Sequence, residues 1–151
     1  VLNDSLYEGG VEVKLLSADS EIGKVSELYS GTAELKKNKN TELDFVISSD
    51  IGDKTVIFAD VYKDGKRVSR ARYYSGWLAD VKLAGPELKW SVGRGSICVE
   101  CVSNIAIGVS FDGEFVLEDN FFDMLPGEKR EIKFTACDGF DGMAECAVYQ
   151  N

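Results

Sequence analysis

The chain has 151 residues, 44% hydrophobic and 28% charged, which fits one ordinary globular domain or two small ones. Its 26 acidic residues outnumber 17 basic ones, and a net charge of −9 argues against nucleic acid or an anionic membrane surface as partner. Histidine is absent, which removes Ser–His–Asp triads, Cys–His dyads, histidine-bearing zinc sites and any histidine base.

Short alternating segments separated by turn residues dominate the chain. Val11, Val13 and Leu15 alternate with Glu12 and Lys14, and Leu43, Phe45 and Ile47 with Asp44 and Val46. Both patterns predict half-buried strands. Glu21 to Tyr29 is also expected to be a strand. Thr55–Tyr62 and Arg67–Tyr74 are rich in β-branched and aromatic residues and face each other across Lys63-Asp64-Gly65-Lys66. An Asp-Gly pair between two such runs predicts a hairpin, because both central positions tolerate positive φ. Five or six strands are expected before residue 75. Ser75 to Glu87 carries Trp77, Leu78, Val81 and Leu83, too apolar for a free linker, and is expected to pack along a surface.

Further on, Leu88–Val92, Ser96–Val102, Ile105–Phe111, Glu114–Leu117, Arg130–Ala136 and Ala144–Tyr149 read as strands. Asp112-Gly113 is expected to make a second hairpin turn. This spacing predicts antiparallel β-sandwiches and little helix. No apolar run approaches the roughly 20 residues of a membrane-spanning helix. The sequence opens at Val1 without a basic-then-apolar leader, as expected of a processed product or an excised fragment.

Composition shifts near Pro86. Residues 1–85 hold 12 basic and 14 acidic residues, a net of −2, whereas residues 86–151 hold 5 and 12, a net of −7. All four cysteines and both prolines lie in or after that shift. Two units are expected, residues 1–85 with a packed linker from about residue 75, and residues 86–151. Units this small bury only about 60% of their unfolded surface and gain from docking on something larger.

Several constellations invite chemistry. Cys98 and Cys101 have zinc-knuckle or redox spacing, but three residues along a strand point side chains to opposite faces, and no second pair completes a ligand set. Buried small hydrophobes are the simpler reading. Cys137 and Cys146 flank a loop and would bridge across a hairpin in an oxidising compartment; a bacterial cytoplasmic setting with reduced cysteines is the expectation. Asp138-Gly139-Phe140-Asp141-Gly142 and Glu118-Asp119-Asn120 lack the calcium-loop pattern and read as solvated turns. Paired carboxylates for glycoside hydrolysis need a cleft that two small sandwiches do not offer. Gly93-Arg94-Gly95 is a turn with no helix after it to cradle a phosphate. No metal or cofactor is expected. Trp77, Trp90, Tyr73, Tyr74, Phe121 and Phe122 would make either a sugar-stacking platform or, by preference, core and seam.

The most distinctive stretch is Asp119-Asn120-Phe121-Phe122-Asp123-Met124-Leu125-Pro126-Gly127-Glu128-Lys129-Arg130. Its apolar residues predict a packed crossover, Pro126-Gly127 a tight turn, and Asp119 and Asn120 local side-chain to backbone bonds. It resembles the DN-[YF]-F-D-L-LPGE signature in the last immunoglobulin-like domain of β-mannosidases of glycoside hydrolase family two. Val109-Ser110-Phe111-Asp112-Gly113 resembles the strand before that signature. Val1-Leu2-Asn3-Asp4-Ser5 resembles the opening of the preceding sandwich, and Ser69–Tyr74 with Val81-Lys82-Leu83 its last strand and exit.

The resemblance implies an all-β fold of two tandem immunoglobulin-like antiparallel sandwiches. Asp119, Asn120, Phe121, Phe122, Asp123, Leu125, Pro126 and Gly127 would then be structural signature residues. It further implies a parent retaining β-mannosidase whose (β/α)8 barrel, with its two glutamates, lies N-terminal to this region, so no catalytic residue falls here. The expected role is a non-catalytic fragment buttressing that barrel. A glycan-binding module and a stand-alone surface interaction protein are the alternatives. Self-association through the apolar surface left for the barrel is also expected.

Overall fold

The computed structural model describes residues 1–3, 5–44, 46 and 51–149. Among them the chain is all-β, with one 3-10 turn at Leu78–Asp80. The packing divides the chain into two compact units: Val1–Ala18 with Val25–Leu78, and Asp19–Lys24 with Ala79–Asn151. The composition shift had set the division at residues 85 and 86. Val81, in the expected linker, is buried, while Trp77 is exposed.

The first unit holds β1 (Leu2–Asn3), β2 (Gly9–Asp19), β3 (Val25–Leu35), β4 (Lys39–Asn40), β5 (Thr55–Lys63) and β6 (Lys66–Tyr74). A four-stranded antiparallel sheet runs β3-β2-β5-β6, and β1 pairs with β4 in a separate ribbon. The β5–β6 hairpin forms as expected. Asp64 and Gly65 take φ of 50° and 74°, the primed turn that matches strand twist. The strand expected at Glu21–Tyr29 begins only at Val25. Before it, Asp19 Oδ1 accepts from Glu21 N and Ile22 N at 2.9 and 3.1 Å and holds a turn. Leu43, Asp44 and Val46 lie outside any strand, and Phe45 and Ile47 fall outside the described residues.

Val11, Val13, Ala33 and Leu35 form a buried cluster of this unit, with Val1, Tyr7, Leu43 and Val61 packed on it. Asn3 closes one end. Its Nδ2 donates to Tyr7 O and Lys36 O at 2.8 and 3.0 Å, and its Oδ1 accepts from Ser5 N and Ser5 Oγ. That gives a physical role to two residues of the opening motif, because a buried amide is tolerated only when its bonds are made.

The opposite face of β5 carries Phe58 and Asp60, both fully buried. Arg70 Nε and Nη2 donate to the two Asp60 oxygens at 2.6 Å each, and Tyr62 Oη donates to Oδ2 at 3.3 Å. Arg67 lies 3.6 Å from the same carboxylate. Removing one member of a buried pair leaves an uncompensated charge. Asp60→Ala is therefore expected to lower unfolding free energy by about 3–5 kcal/mol, read by urea denaturation. A loss below about 1 kcal/mol would contradict this account of the cluster.

The second unit holds β7 (Glu87–Val92), β8 (Ser96–Ser103), β9 (Ala106–Asp112), β10 (Phe115–Leu117), β11 (Phe122–Met124), β12 (Lys129–Ala136) and β13 (Glu145–Ala147). One sheet runs β10-β12-β8-β7 and the other β11-β9-β13. Four strands and three strands make an immunoglobulin-like sandwich. Ile97, Val99, Cys101, Ala106, Val109, Phe111, Phe122, Met124 and Ile132 fill its core. The Trp90 and Phe111 rings meet in a T-shaped arrangement across the sheets at 6.4 Å between centroids. Phe115, Phe134 and Phe140 pack mutually at 5.2 to 5.7 Å and hold the loop after β12.

Three expectations are corrected here. Asp112-Gly113 makes no hairpin, because β9 and β10 belong to different sheets and the chain crosses between layers at that point. Cys137 and Cys146 do not face each other across a hairpin for the same reason: β12 and β13 lie in different sheets, and both thiols are free. The stretch read as a packed crossover contains a strand, β11, whose three residues are all buried and so show no alternation.

Candidate functional site

The 119–130 stretch is built around a bulge in β9. Phe122 pairs with Val109 and Met124 with Ala106, so Asp123 stands opposite two residues, Ile107 and Gly108. Gly108 takes φ 62°, the left-handed position that a glycine bulge requires. The bulge turns the Gly108 N–H away from the ladder, and Asp123 Oδ1 accepts it at 2.9 Å. Asp123 is itself buried.

Asn120 extends the same repair beyond the strand. Its Oδ1 accepts from Phe111 N at 3.0 Å and its Nδ2 donates to Phe111 O at 3.1 Å. A side-chain amide thus stands in for a strand partner of Phe111. The same Oδ1 accepts from Phe121 N at 3.2 Å. The local bonding expected of Asp119 and Asn120 is therefore only this last contact. Asn120 reaches nine residues back to Phe111, and Asp119 forms an ion pair with Arg130. The Arg130 guanidinium also lies over the Phe122 ring, 4.3 Å from its centroid.

Leu125-Pro126-Gly127-Glu128 closes the stretch as a type II turn. Glu128 N donates to Leu125 O at 3.0 Å, Pro126 supplies the fixed φ, and Gly127 takes φ 83°. Glu128 Oε2 accepts back from Leu125 N at 3.0 Å. The turn is stitched to β8, because Gly127 N donates to Cys101 O and Cys101 N to Glu128 O. Leu125 is buried, while Phe121 is 73% exposed.

Cys98 and Cys101 lie on opposite faces of β8, as the strand period requires. Cys98 is exposed, so the reading of both as buried hydrophobes holds only for Cys101. Burial, with the Glu128 carboxylate second, pushes the Cys101 thiol up to about 11. Burial raises Cys146 as well. Among the described residues no group of three or more Cys, Asp or Glu side chains is placed to hold a metal ion. Met143 N donates to Asp141 Oδ1, an ordinary Asx turn.

The aromatics preferred for core and seam divide. Phe122 is buried, but Trp77 is 81% exposed, Tyr73 59% and Trp90 45%. A 660 Å3 surface groove on the β7-β8-β12 sheet is lined by Trp90 and by Lys89, Glu100, Lys129 and Glu131. Lys89, Glu100 and Lys129 are cross-strand partners in one row of alternating charge. An 860 Å3 groove in the first unit is lined by Val13, Leu15, Leu43, Ala59 and Val61. Neither brings two rings together.

Residues 78–145 match the family Ig_mannosidase, described as an Ig-fold domain. The match covers most of the second unit and somewhat less than half of the chain. The resemblance drawn from residues 119–130 is thus borne out, and the bulge clamp lies within this Ig_mannosidase segment. Fifteen solved chains are similar in structure. One is the crystal structure of a β-D-mannosidase from Dictyoglomus thermophilum, matched over 99% of this chain with a TM-score of 0.75 and 17% identity. That likeness concerns the fold, and the chain spans 20% of the length of the Dictyoglomus protein. No curated protein matches the sequence.

Two outcomes follow from the geometry. Asn120→Ala leaves both Phe111 backbone groups without their partner and is expected to cost about 1–3 kcal/mol. Asn120→Asp removes the donor and turns a carboxylate toward Phe111 O, so it should not rescue; full stability of the Asp variant in urea would refute the amide pairing. The second outcome concerns pH. Cys101 stays protonated in the fold up to about 11, against an ordinary value of 9.0. Its stabilising contribution is therefore complete below pH 9 and lost as pH rises through about 11. Cys101→Ala should flatten the alkaline limb of a Tm–pH profile, and an unchanged limb would count against this assignment.

Proposed function

We propose that this chain is a non-catalytic accessory part of a β-mannosidase-like glycoside hydrolase. Its two units buttress a catalytic barrel supplied by the rest of the parent polypeptide. The observation that carries this reading is the Ig_mannosidase match over residues 78–145, which contains the bulge clamp of residues 119–130. The side chains of Asp119, Asn120, Asp123 and Glu128 are spent on backbone groups and an arginine rather than turned to a cleft. Such engagement suits a rigid support and leaves little for acid–base work. Asp119, Asn120, Phe121, Phe122, Asp123, Leu125, Pro126 and Gly127 act in this reading as structural residues. The parent's substrate would be a terminal β-D-mannoside, the class of sugar for which the Dictyoglomus β-D-mannosidase is named.

The test compares two proteins on 4-nitrophenyl β-D-mannoside. The 151-residue chain is expected to give no turnover above blank, and the polypeptide encoded by the uninterrupted reading frame to hydrolyse it. Turnover by the 151-residue chain alone would overturn the reading. So would a reading frame that encodes no further domain. Calorimetric titration of the chain with manno-oligosaccharides should show no heat; saturable heat would favour a glycan-binding module instead.

A further inference from the structure

We infer that Phe121 is a docking anchor whose exposed ring seats in an apolar, basic-rimmed pocket on the catalytic body of the parent polypeptide. This rests on the accessory-domain reading above and names the contact through which the support would act.

The backbone is the first observation. Phe121 takes φ 60°, in the left-handed region, where a bulky side chain is an outlier and glycine or asparagine is at ease. Such strain is kept when the surroundings over-determine it and the conformation serves a purpose. Here the surroundings do over-determine it. Asn120 grips the Phe111 backbone and accepts from Phe121 N, Phe122 is buried under Arg130, and Asp123 holds Gly108.

Exposure is the second. The Phe121 side chain is 73% exposed and makes no aromatic or cation–π contact among the described residues. Nothing in the unit's own core uses this ring. A glycine would satisfy the same backbone with less strain, so the ring serves something outside the unit. A large apolar group held in one conformation loses little entropy on binding, which is how aromatic anchors come to dominate interfaces.

Length and charge identify the occupant. This chain spans 20% of the length of the β-D-mannosidase it resembles in fold, so most of a comparable polypeptide lies beyond it. Residues 86–151 carry a net charge of −7, and Glu118 sits beside the ion-paired Asp119. A complementary surface would therefore be apolar at its centre and basic at its rim.

The experiment places Phe121→Gly and Phe121→Tyr in two proteins, the 151-residue chain and the polypeptide from the whole reading frame. In the 151-residue chain, the glycine variant should melt at the same temperature as the parent or higher, because strain is relieved and no contact is lost. In the long polypeptide, it should melt lower, by about 2 °C or more, with new proteolysis near residues 118–124. The tyrosine variant should restore both. If the long polypeptide hydrolyses 4-nitrophenyl β-D-mannoside and its melting is indifferent to Phe121→Gly, the anchor is refuted while the accessory-domain reading stands. Absence of hydrolysis, by contrast, defeats that reading itself. An equal loss of stability in both proteins would make Phe121 an internal packing residue and overturn the proposal. Sedimentation showing a dimer of the 151-residue chain that Phe121→Gly dissolves would give the ring to a second copy, and would also overturn it.

Discussion

A central strand flanked on both sides must still satisfy the backbone groups that its own irregularity releases, and in this chain that demand falls on β9. The bulge at Gly108 turns one N–H out of the ladder toward β11. Left alone, a buried unsatisfied donor costs about 1–3 kcal/mol. Asp123 answers it directly. Asn120 then continues the pairing at Phe111, where the backbone of the next strand has already turned away. Two side chains therefore complete what a regular ladder would have done with main chain.

The consequence is a loop fastened to both sheets of its sandwich. Its first half is bonded to β9 in the three-stranded sheet, and its last turn to β8 in the four-stranded one. Apolar packing does the same, because Phe122 and Met124 belong to the core that Ile97, Val99 and Ile132 close from the other layer. A segment held this way resists the opening that loops normally undergo. The four charged or amide side chains that look chemical in the sequence are committed to this task, which is why a supporting role is favoured over an active site.

The first unit meets a related problem with charge. Asp60 has no solvent exposure, and an isolated carboxylate there would be prohibitive. The Arg70 fork matches both oxygens, with Tyr62 and Arg67 nearby. Such a pair often adds less net stability than an apolar replacement would, and it forms here at one register of β5 against β6. The cross-strand pairing of Asp60 with Arg70 expresses that register.

Much of the architecture was legible in the sequence because it depends on local rules. Alternation marked β2 and β12, and β-branched and aromatic runs marked β5 and β6; Asp64-Gly65 marked a primed turn; Pro126-Gly127 marked a tight turn, of type II, whose φ values those residues accept readily. The kinship of residues 119–130 was legible from their order alone. What local rules could not carry was partnership. β11 hid because a strand buried on both faces has no alternation. Asp112-Gly113 has the chemistry of a hairpin turn, yet the chain there changes sheets. Cys137, just past β12, and Cys146, on β13, are close in sequence but belong to opposite layers, and Asn120 looks like a local cap but bonds nine residues away. The sequence by itself determined which segments extend and where they turn, since those are properties of a few adjacent residues. Only the tertiary structure decided which edges meet, because that depends on satisfying buried donors and acceptors far apart in the chain.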